Sequence, residues 1–194
     1  MPDIANTAIK VCSRASILMG GSPITSFTDG SAEADVCDAM YEDLASSSLT
    51  NSRWGFATNQ AVLNRLATAP TGRYDSAYQL PAGTLTVNAV TVNDYPIGFD
   101  TYGDKVYCNA SDTSELVADY IFRATEDTWP SYFTIAVEYA MAGVLAVSVA
   151  RDASLAQMMD QKAALFMAQA RSRDSQRQTT KRLDTSRFIA QRRS

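Results

Sequence analysis

Apolar residues recur every three to four positions in the first and last parts of the chain, a period typical of amphipathic α-helices. The predicted helices cover residues 3–19, 31–48, 131–150 and a stretch from Asp152 to about Ala170. A shorter helix is predicted from Thr58, a candidate N-cap, to Leu66. The chain beyond Ala170 lacks a periodic apolar face, and we expect it to become ordered only on a partner.

Two of these helices have clear apolar faces. The second is predicted to bury Val36, Met40 and Leu44, and the fourth to bury Leu155, Met158, Met159, Leu165 and Phe166. The third has one charged residue, Glu138, within residues 133–150. It is therefore either a short membrane span or a helix buried on most sides. The central carboxylate and the Ala- and Gly-rich composition favour the buried helix, and we expect no membrane partner.

The middle of the chain has a different pattern. Polar and apolar residues alternate with period two over 85–92, and short β-branched segments follow at 105–108 and 115–122. Turn-forming residues at 93–96, 102–104 and 109–114 separate these segments. This pattern of short strands and turns predicts an antiparallel meander of four or five strands.

These patterns together predict an α+β fold: a helical bundle with an inserted small antiparallel β-sheet and a flexible C-terminal arm. The predicted boundaries are 1–73 and 128–172 for the helical domain, 74–127 for the insertion and 173–194 for the extension.

The composition excludes much catalytic chemistry. The 194 residues include no histidine, so the chain has no Ser-His-Asp or Cys-His pair and no His-bearing zinc site. Its three cysteines lack CxxC spacing and are too few for an all-thiolate zinc site, which favours a reduced, cytosolic chain. We expect no metal, no cofactor and no enzymatic activity.

Charge is distributed unevenly along the chain. The net charge is −4, yet residues 171–194 contain eight basic and two acidic side chains. This segment also has an apolar pair, Phe188 and Ile189, that could fill a pocket while arginines meet carboxylates around it. A protein partner is favoured over nucleic acid, because regularly interleaved aromatics are lacking and the body is acidic. The candidate docking residues are Arg177, Lys181, Arg182, Arg187, Phe188, Ile189, Arg192 and Arg193.

The predicted second helix has an acidic stripe formed by Glu33, Asp35, Asp38 and Glu42. A solvated or interface-facing stripe is the favoured interpretation. The alternatives are a cation or catalytic carboxylate site, which would need acids converging from several segments, and a stripe that lines a DNA passage and repels phosphate. Arg53, Trp54 and Phe56 form the densest aromatic–cation group, for which a packing or inter-helix role is favoured over ligand binding.

Three segments resemble a known family in their order and spacing. They are residues 18–30 (LMGGSPITSFTDG), residues 53–60 (RWGFATNQ) with 63–66 (LNRL), and residues 78–81 (YQLP). Together they resemble the tail tubular protein A-like head–tail adaptors of tailed phages and gene transfer agents, over roughly residues 4–172.

The resemblance implies a non-enzymatic structural protein of the virion neck, made in the host cytoplasm. Members assemble as a ring, generally dodecameric, beneath the portal protein; the ring extends the DNA channel and presents a surface to the next tail, nozzle or stopper component. Genomic DNA passes through without sequence-specific binding. Carried over by position, residues 171–194 would grip the portal with Phe188 and Ile189 as anchors, and Arg53, Trp54 and Phe56 would be inter-subunit or packing anchors.

Two other functions remain open at this point. One is a nucleic-acid-binding accessory protein that acts through the basic tail. The other is a histidine-free hydrolase that uses carboxylates such as Glu33, Asp38 and Glu42.

Overall fold

Four α-helices form the larger part of the computed structural model, which describes residues 6–68, 70, 72–111 and 114–177. They are α1 (Ala8–Met19), α2 (Ala32–Thr50), α3 (Ser131–Ser148) and α4 (Ala153–Ser175), with a 3₁₀ turn at Glu126–Thr128 before α3. Together with the β-strands described below, they confirm the predicted α+β class.

Polar side chains set the starts of three helices. Thr7 accepts a hydrogen bond from the Lys10 N–H, so α1 begins at Ala8, later than predicted. Ser31 caps α2 in the same way. The Asp152 carboxylate caps α4, because it accepts hydrogen bonds from the backbone N–H groups of Ser154 and Leu155 at 2.9 and 3.0 Å. Among the described residues, α3 has no side-chain cap: Thr128 lies in the 3₁₀ turn, and Pro130 immediately precedes the first residue of α3.

Eight strands in the described residues form two antiparallel sheets. They are β1 (Thr58–Val62), β2 (Asn64–Arg65), β3 (Ser76–Gln79), β4 (Thr84–Val92), β5 (Tyr95–Pro96), β6 (Phe99–Tyr102), β7 (Lys105–Cys108) and β8 (Leu116–Phe122). The first sheet has the order β1-β8-β4-β5 and the second β2-β3-β7-β6. The strands predicted around 85–92, 105–108 and 115–122 are confirmed.

Two predictions about this region are wrong. Residues 58–66 form no helix, since β1 pairs with β8 from Thr58↔Ile121 to Val62↔Val117 and β2 pairs with β3. The strands also form two sheets instead of one meander, because β4 pairs with the distant β8. The first two strands thus precede residue 74, where the sequence predicts the insertion to begin.

α3 lies at the centre of the helical part. Ten of its eighteen residues are buried, and it packs most extensively on α4, then on α1 and α2. Phe133 is fully buried and contacts the rings of Trp54 and Trp129 edge-on, each at a centroid distance of 5.0 Å. This first core also includes Ile121, so the end of β8 packs on the helices.

A second, smaller core lies in the β region. Its buried residues come from both sheets and the segments beside them: Leu63, Tyr78, Leu80, Val90, Val106, Cys108, Leu116 and Ala118. β8 contributes Leu116 and Ala118 here and Ile121 to the first core. β4 likewise has Val90 in this core and Leu85 against the first.

The buried face of α2 differs from the predicted one. It consists of Ala34, Cys37, Tyr41, Ala45, Ser48 and Leu49. The expected core residue Met40 is 45% exposed, and Val36 and Leu44 are only partly buried. Small side chains make up most of this buried face, whereas the larger Met40 lies outside it.

α4 also differs from its prediction. It continues past Ala170 to Ser175, so the expectation that the chain beyond Ala170 lacks order on its own is wrong for residues 171–175. Met158 and Leu165, expected in the core, are 42% and 56% exposed. The inward face is made by Ala156, Met159, Met167, Ala170 and Asp174.

Gly143 marks a close approach between α3 and α4. A Cβ atom there would lie 2.3 Å from Oδ1 of Asp160 and 3.8 Å from the Asp160 backbone nitrogen. The carboxylate is the end of an exposed side chain and can rotate away, whereas the backbone of α4 cannot.

Gly143→Ala should therefore change the free energy of unfolding by less than about 1 kcal/mol, because the gain in helix propensity offsets the displacement of Asp160. Gly143→Leu should lower it by about 1–3 kcal/mol, because the larger side chain meets the α4 backbone. Urea unfolding of the two variants measures the difference. Equal effects of both substitutions would contradict the close approach.

Candidate docking site at the base of the C-terminal segment

The last turn of α4 is fastened to the body by a buried carboxylate. Asp174 is 4% exposed; its Oδ2 accepts the Gly55 N–H at 2.8 Å and its Oδ1 accepts the Tyr132 hydroxyl at 2.9 Å. We call Asp174, Gly55 and Tyr132 the clasp. Burial raises the pKa of Tyr132, and its hydrogen bond to Asp174 adds to the shift. The clasp thus holds the end of α4, just before the start of the basic segment, against the body.

Arg177 is the last described residue and one of the predicted docking residues. Its backbone N–H bonds the Asp174 carbonyl at 3.1 Å, and contact with the Tyr132 hydroxyl raises the pKa of its exposed guanidinium. A small cavity of about 240 Å³ lies between Arg177, Asp174, Gly55 and Phe56. The other predicted docking residues lie outside the described residues: Lys181, Arg182, Arg187, Phe188, Ile189, Arg192 and Arg193.

The predicted aromatic–cation group lies directly beneath the clasp. Trp54 is fully buried, and its indole N–H donates to the Ser48 carbonyl at 3.0 Å near the end of α2. Phe56 packs on Phe133 at a centroid distance of 5.0 Å. Arg53 is exposed and pairs with Asp119 at 3.5 Å. Trp54 and Phe56 thus pack within the subunit and support the chain that carries Gly55.

The structure divides the acidic stripe of α2 into parts with different surroundings. Asp35 and Asp38 are exposed, and Glu33 is partly buried. Glu42 accepts two hydrogen bonds from Arg123, at 2.7 and 2.9 Å, and these lower the pKa of Glu42. The stripe therefore does not converge on one catalytic cleft.

Arg123 links α2 to the segment that precedes α3. Besides Glu42 it binds Glu126 at 2.6 Å, and its guanidinium lies 5.6 Å from the centre of the Trp129 ring. Glu126 also accepts the Tyr41 hydroxyl at 3.0 Å. Burial and the neighbouring Glu126 raise the pKa of Tyr41. These charges fasten α2, β8 and the 3₁₀ turn together.

Glu138 is the buried acid of α3. It is 7% exposed and pairs with Arg14 of α1 at 3.0 Å. Burial raises the pKa of Glu138, and the guanidinium only partly opposes that shift. α3 has the length and apolarity of a membrane span, as the core helix of a folded domain can also have, and ten of its residues are buried here.

A groove along α2 is the feature that the sequence interpretation missed. One part, about 600 Å³, is lined by α2, α3 and α4 through Met40, Leu44, Ala140, Ala163 and Met167, with Asp43, Asn51 and Arg171 at its rim. The adjoining part, about 520 Å³, is lined by Val36, Met40, Val144 and Val147, with Asp35 beside them. We call these two parts, joined at Met40, the α2 groove. The sequence does contain the aliphatic face of α2 that lines this groove. However, such a face predicts packing in the core equally well.

Within the described part of the chain, no group of three or more Cys, Asp or Glu side chains could hold a metal ion. Cys12, Cys37 and Cys108 are buried free thiols. Burial raises the pKa of Cys108.

No known protein-family model matches the chain, and no curated protein matches it significantly in sequence. The resemblance to head–tail adaptors thus stays a hypothesis based on three short segments.

Those three segments have identifiable structural roles in this fold. Gly20 adopts a left-handed φ of 93° and ends α1, and Asp29 accepts the amide and hydroxyl of Ser31 at the start of α2. These contacts lower the pKa of Asp29 to about 2, and the hydrogen bond from the Ser31 hydroxyl makes the largest contribution to this shift. Trp54 and Tyr78 fill the first and second cores. The segments that carry the resemblance thus include residues at helix ends and in both cores.

Asp174→Ala should loosen the end of α4 before it unfolds the protein. The variant leaves the Gly55 N–H and the Tyr132 hydroxyl without their acceptor, at a cost of about 1–3 kcal/mol. Hydrogen exchange of amides 171–177 should become faster, while exchange within α3 changes little. Arg173→Ala, on the exposed side of the same turn, is the control. Unchanged exchange in Asp174→Ala would contradict the clasp.

Glu138→Gln should remove a pH-dependent loss of stability. Because the folded-state pKa of Glu138 is raised, its contribution is fully present below the unfolded pKa of 4.5 and is lost as pH rises through the raised value. The glutamine amide stays neutral, so the stability of the variant relative to the parent should increase from about pH 4 to about pH 7. Urea unfolding at both pH values measures this. A difference that does not change with pH would contradict it.

Proposed function

We propose that the chain is a structural head–tail adaptor of a tailed phage or gene transfer agent. Copies of the chain form a ring, dodecameric by the family resemblance, beneath the portal protein in the virion neck. The ring extends the DNA channel, and the next tail component attaches to it. Residues from Arg177 onward grip the portal, and the chain acts without catalysis.

The observation that carries this proposal is the fixed exit of the basic segment. The clasp holds the last turn of α4 against the Trp54 segment and the start of α3, so the residues after Arg177 start from a defined point. Residues 178–194 contain five basic and one acidic side chain and the Phe188–Ile189 pair. A short basic segment with two apolar anchors that starts at a rigid base is suited to docking on a neighbouring protein.

The charges of the body support a structural role beside DNA. Asp35, Asp38 and Asp43 are exposed on one helix, and no basic side chain lies among them in the sequence of α2. Such a surface repels phosphate and can also meet the basic segment of another subunit. A closed ring uses a head-to-tail contact between two different surfaces of each copy, which this separation of acidic and basic regions permits.

The test is association of the purified full chain with the portal protein of its own particle. Arg192→Glu/Arg193→Glu should weaken portal binding by about tenfold or more, because charge pairs at a docked anchor are lost and replaced by repulsion. Arg151→Glu/Arg173→Glu is the matched control, since it reverses two exposed charges on the helical body. Co-sedimentation measures binding, and electron microscopy of the complex shows whether a ring forms.

Equal portal binding by the two double variants would contradict the proposed role of the arm. Loss of DNA binding in Arg192→Glu/Arg193→Glu, with portal binding intact, would favour a nucleic-acid-binding accessory protein instead. A neck reconstruction with no ring of this chain would overturn the adaptor assignment.

A further inference from the structure

Within the described residues, the α2 groove is an exposed apolar surface. Met40 lies in both parts of it at 45% exposure, and Val147 at its far end is 60% exposed. The two parts have volumes of about 600 and 520 Å³, each large enough for one or two apolar side chains. An apolar depression of this kind between helices is typical of a segment-binding surface.

The chemistry of the groove matches that of one segment of this chain. Asp43 lies at the rim of the larger part and Asp35 beside the smaller part, and both are exposed. Arg171 is the basic residue at the rim, at the end nearest the C-terminus of α4. Residues 178–194 combine five basic side chains and one acid with the adjacent Phe188 and Ile189. Apolar side chains for the floor and bases for the acidic rim thus occur together.

The geometry of the chain permits this segment to reach the groove of its own subunit. The groove runs from Asn51 and Arg171 at one end to Asp35 and Val147 at the other. The rise along α2 from Asp35 to Asn51 is about 24 Å, and Arg171 is about 6 Å along the helix axis from Ser175. Residues 178–187 can span up to about 33 Å when extended. Phe188 can therefore reach the middle of the groove at Met40, which lies about 16 Å along α2 from Asn51.

We propose that in the free subunit the segment 178–194 binds in the α2 groove of the same chain, with Phe188 and Ile189 on its apolar floor and the flanking arginines against Asp35 and Asp43. Attachment through Arg177 gives the segment an effective concentration in the millimolar range, so modest contacts suffice. This inference does not depend on the proposed function, because groove and segment belong to one molecule. If the chain is an adaptor, the same two anchors are withheld until the portal competes for them.

Methionine oxidation by dilute hydrogen peroxide tests the proposal on the full chain, without any partner. Met40 on the groove and Met158 on α4 have nearly equal exposure, 45% and 42%, so Met158 is an internal reference. If the segment covers the groove, Met40 should form sulfoxide about fivefold more slowly than Met158. Phe188→Ser/Ile189→Ser should bring the two rates within about a factor of two. Mass spectrometry of proteolytic peptides measures both rates.

Two further measurements identify what occupies the groove. Asp35→Lys/Asp43→Lys should speed oxidation of Met40 and leave Met158 unchanged, because the rim then repels the basic segment. The protection should not change on tenfold dilution, since it is intramolecular. Protection that falls on dilution and persists in Phe188→Ser/Ile189→Ser would mean that a second copy covers the groove, and would overturn the proposal. Equal oxidation rates of Met40 and Met158 in the parent chain would overturn it as well.

These results are separable from those of the portal experiment. The oxidation test contains no portal, and the portal test compares charge variants at Arg192 and Arg193 with a body control. A chain that binds the portal but leaves Met40 unprotected refutes only the inference about the groove. A protected Met40 with no portal binding refutes only the adaptor.

Discussion

The need to cover α3 determines most of this structure. The helix is apolar on almost every side, and water-exposed apolar surface is unfavourable, so neighbouring elements must enclose it. α4 lies along it through the close approach at Gly143, α1 supplies Arg14 to its buried Glu138, and α2 also packs on it. At the first turn of α3, Phe133 packs against the rings of Trp54 and Trp129. Breaking any one of these contacts would expose part of the same surface.

The sequence predicts elements well where the signal is local. The helices and the strands β4, β7 and β8 have their own periodicity and flanking turns, and they lie close to where the pattern places them. β1 and β2 were missed because their stability comes from distant partners: Thr58 pairs with Ile121, and Arg65 pairs with Tyr78. Ala61, Val62, Leu63 and Leu66 also happen to have helical spacing, so local propensity and tertiary pairing disagree there.

The candidate site was predictable only in part. Trp54 and the basic character of residues from Arg177 onward are visible in the sequence, whereas Asp174 is one acid in a polar stretch and gives no sign that it is buried. Its acceptor role depends on Gly55, a backbone donor far away in the chain. The groove was missed for a packing reason: α2 buries the small residues Ala34, Cys37 and Ala45, while the larger Met40 is 45% exposed and lines the groove. Periodicity identifies a face but not which neighbour it meets.

The two hydrophobic cores are connected mainly through one pair of strands. β4 and β8 each have residues in or against both cores, and their pairing has register shifts between Thr84 and Thr86 and between Val87 and Ala89. Such irregular pairing bends a strand and increases its local twist. β4 thus changes direction between Leu85, which packs against the first core, and Val90, which is buried in the second.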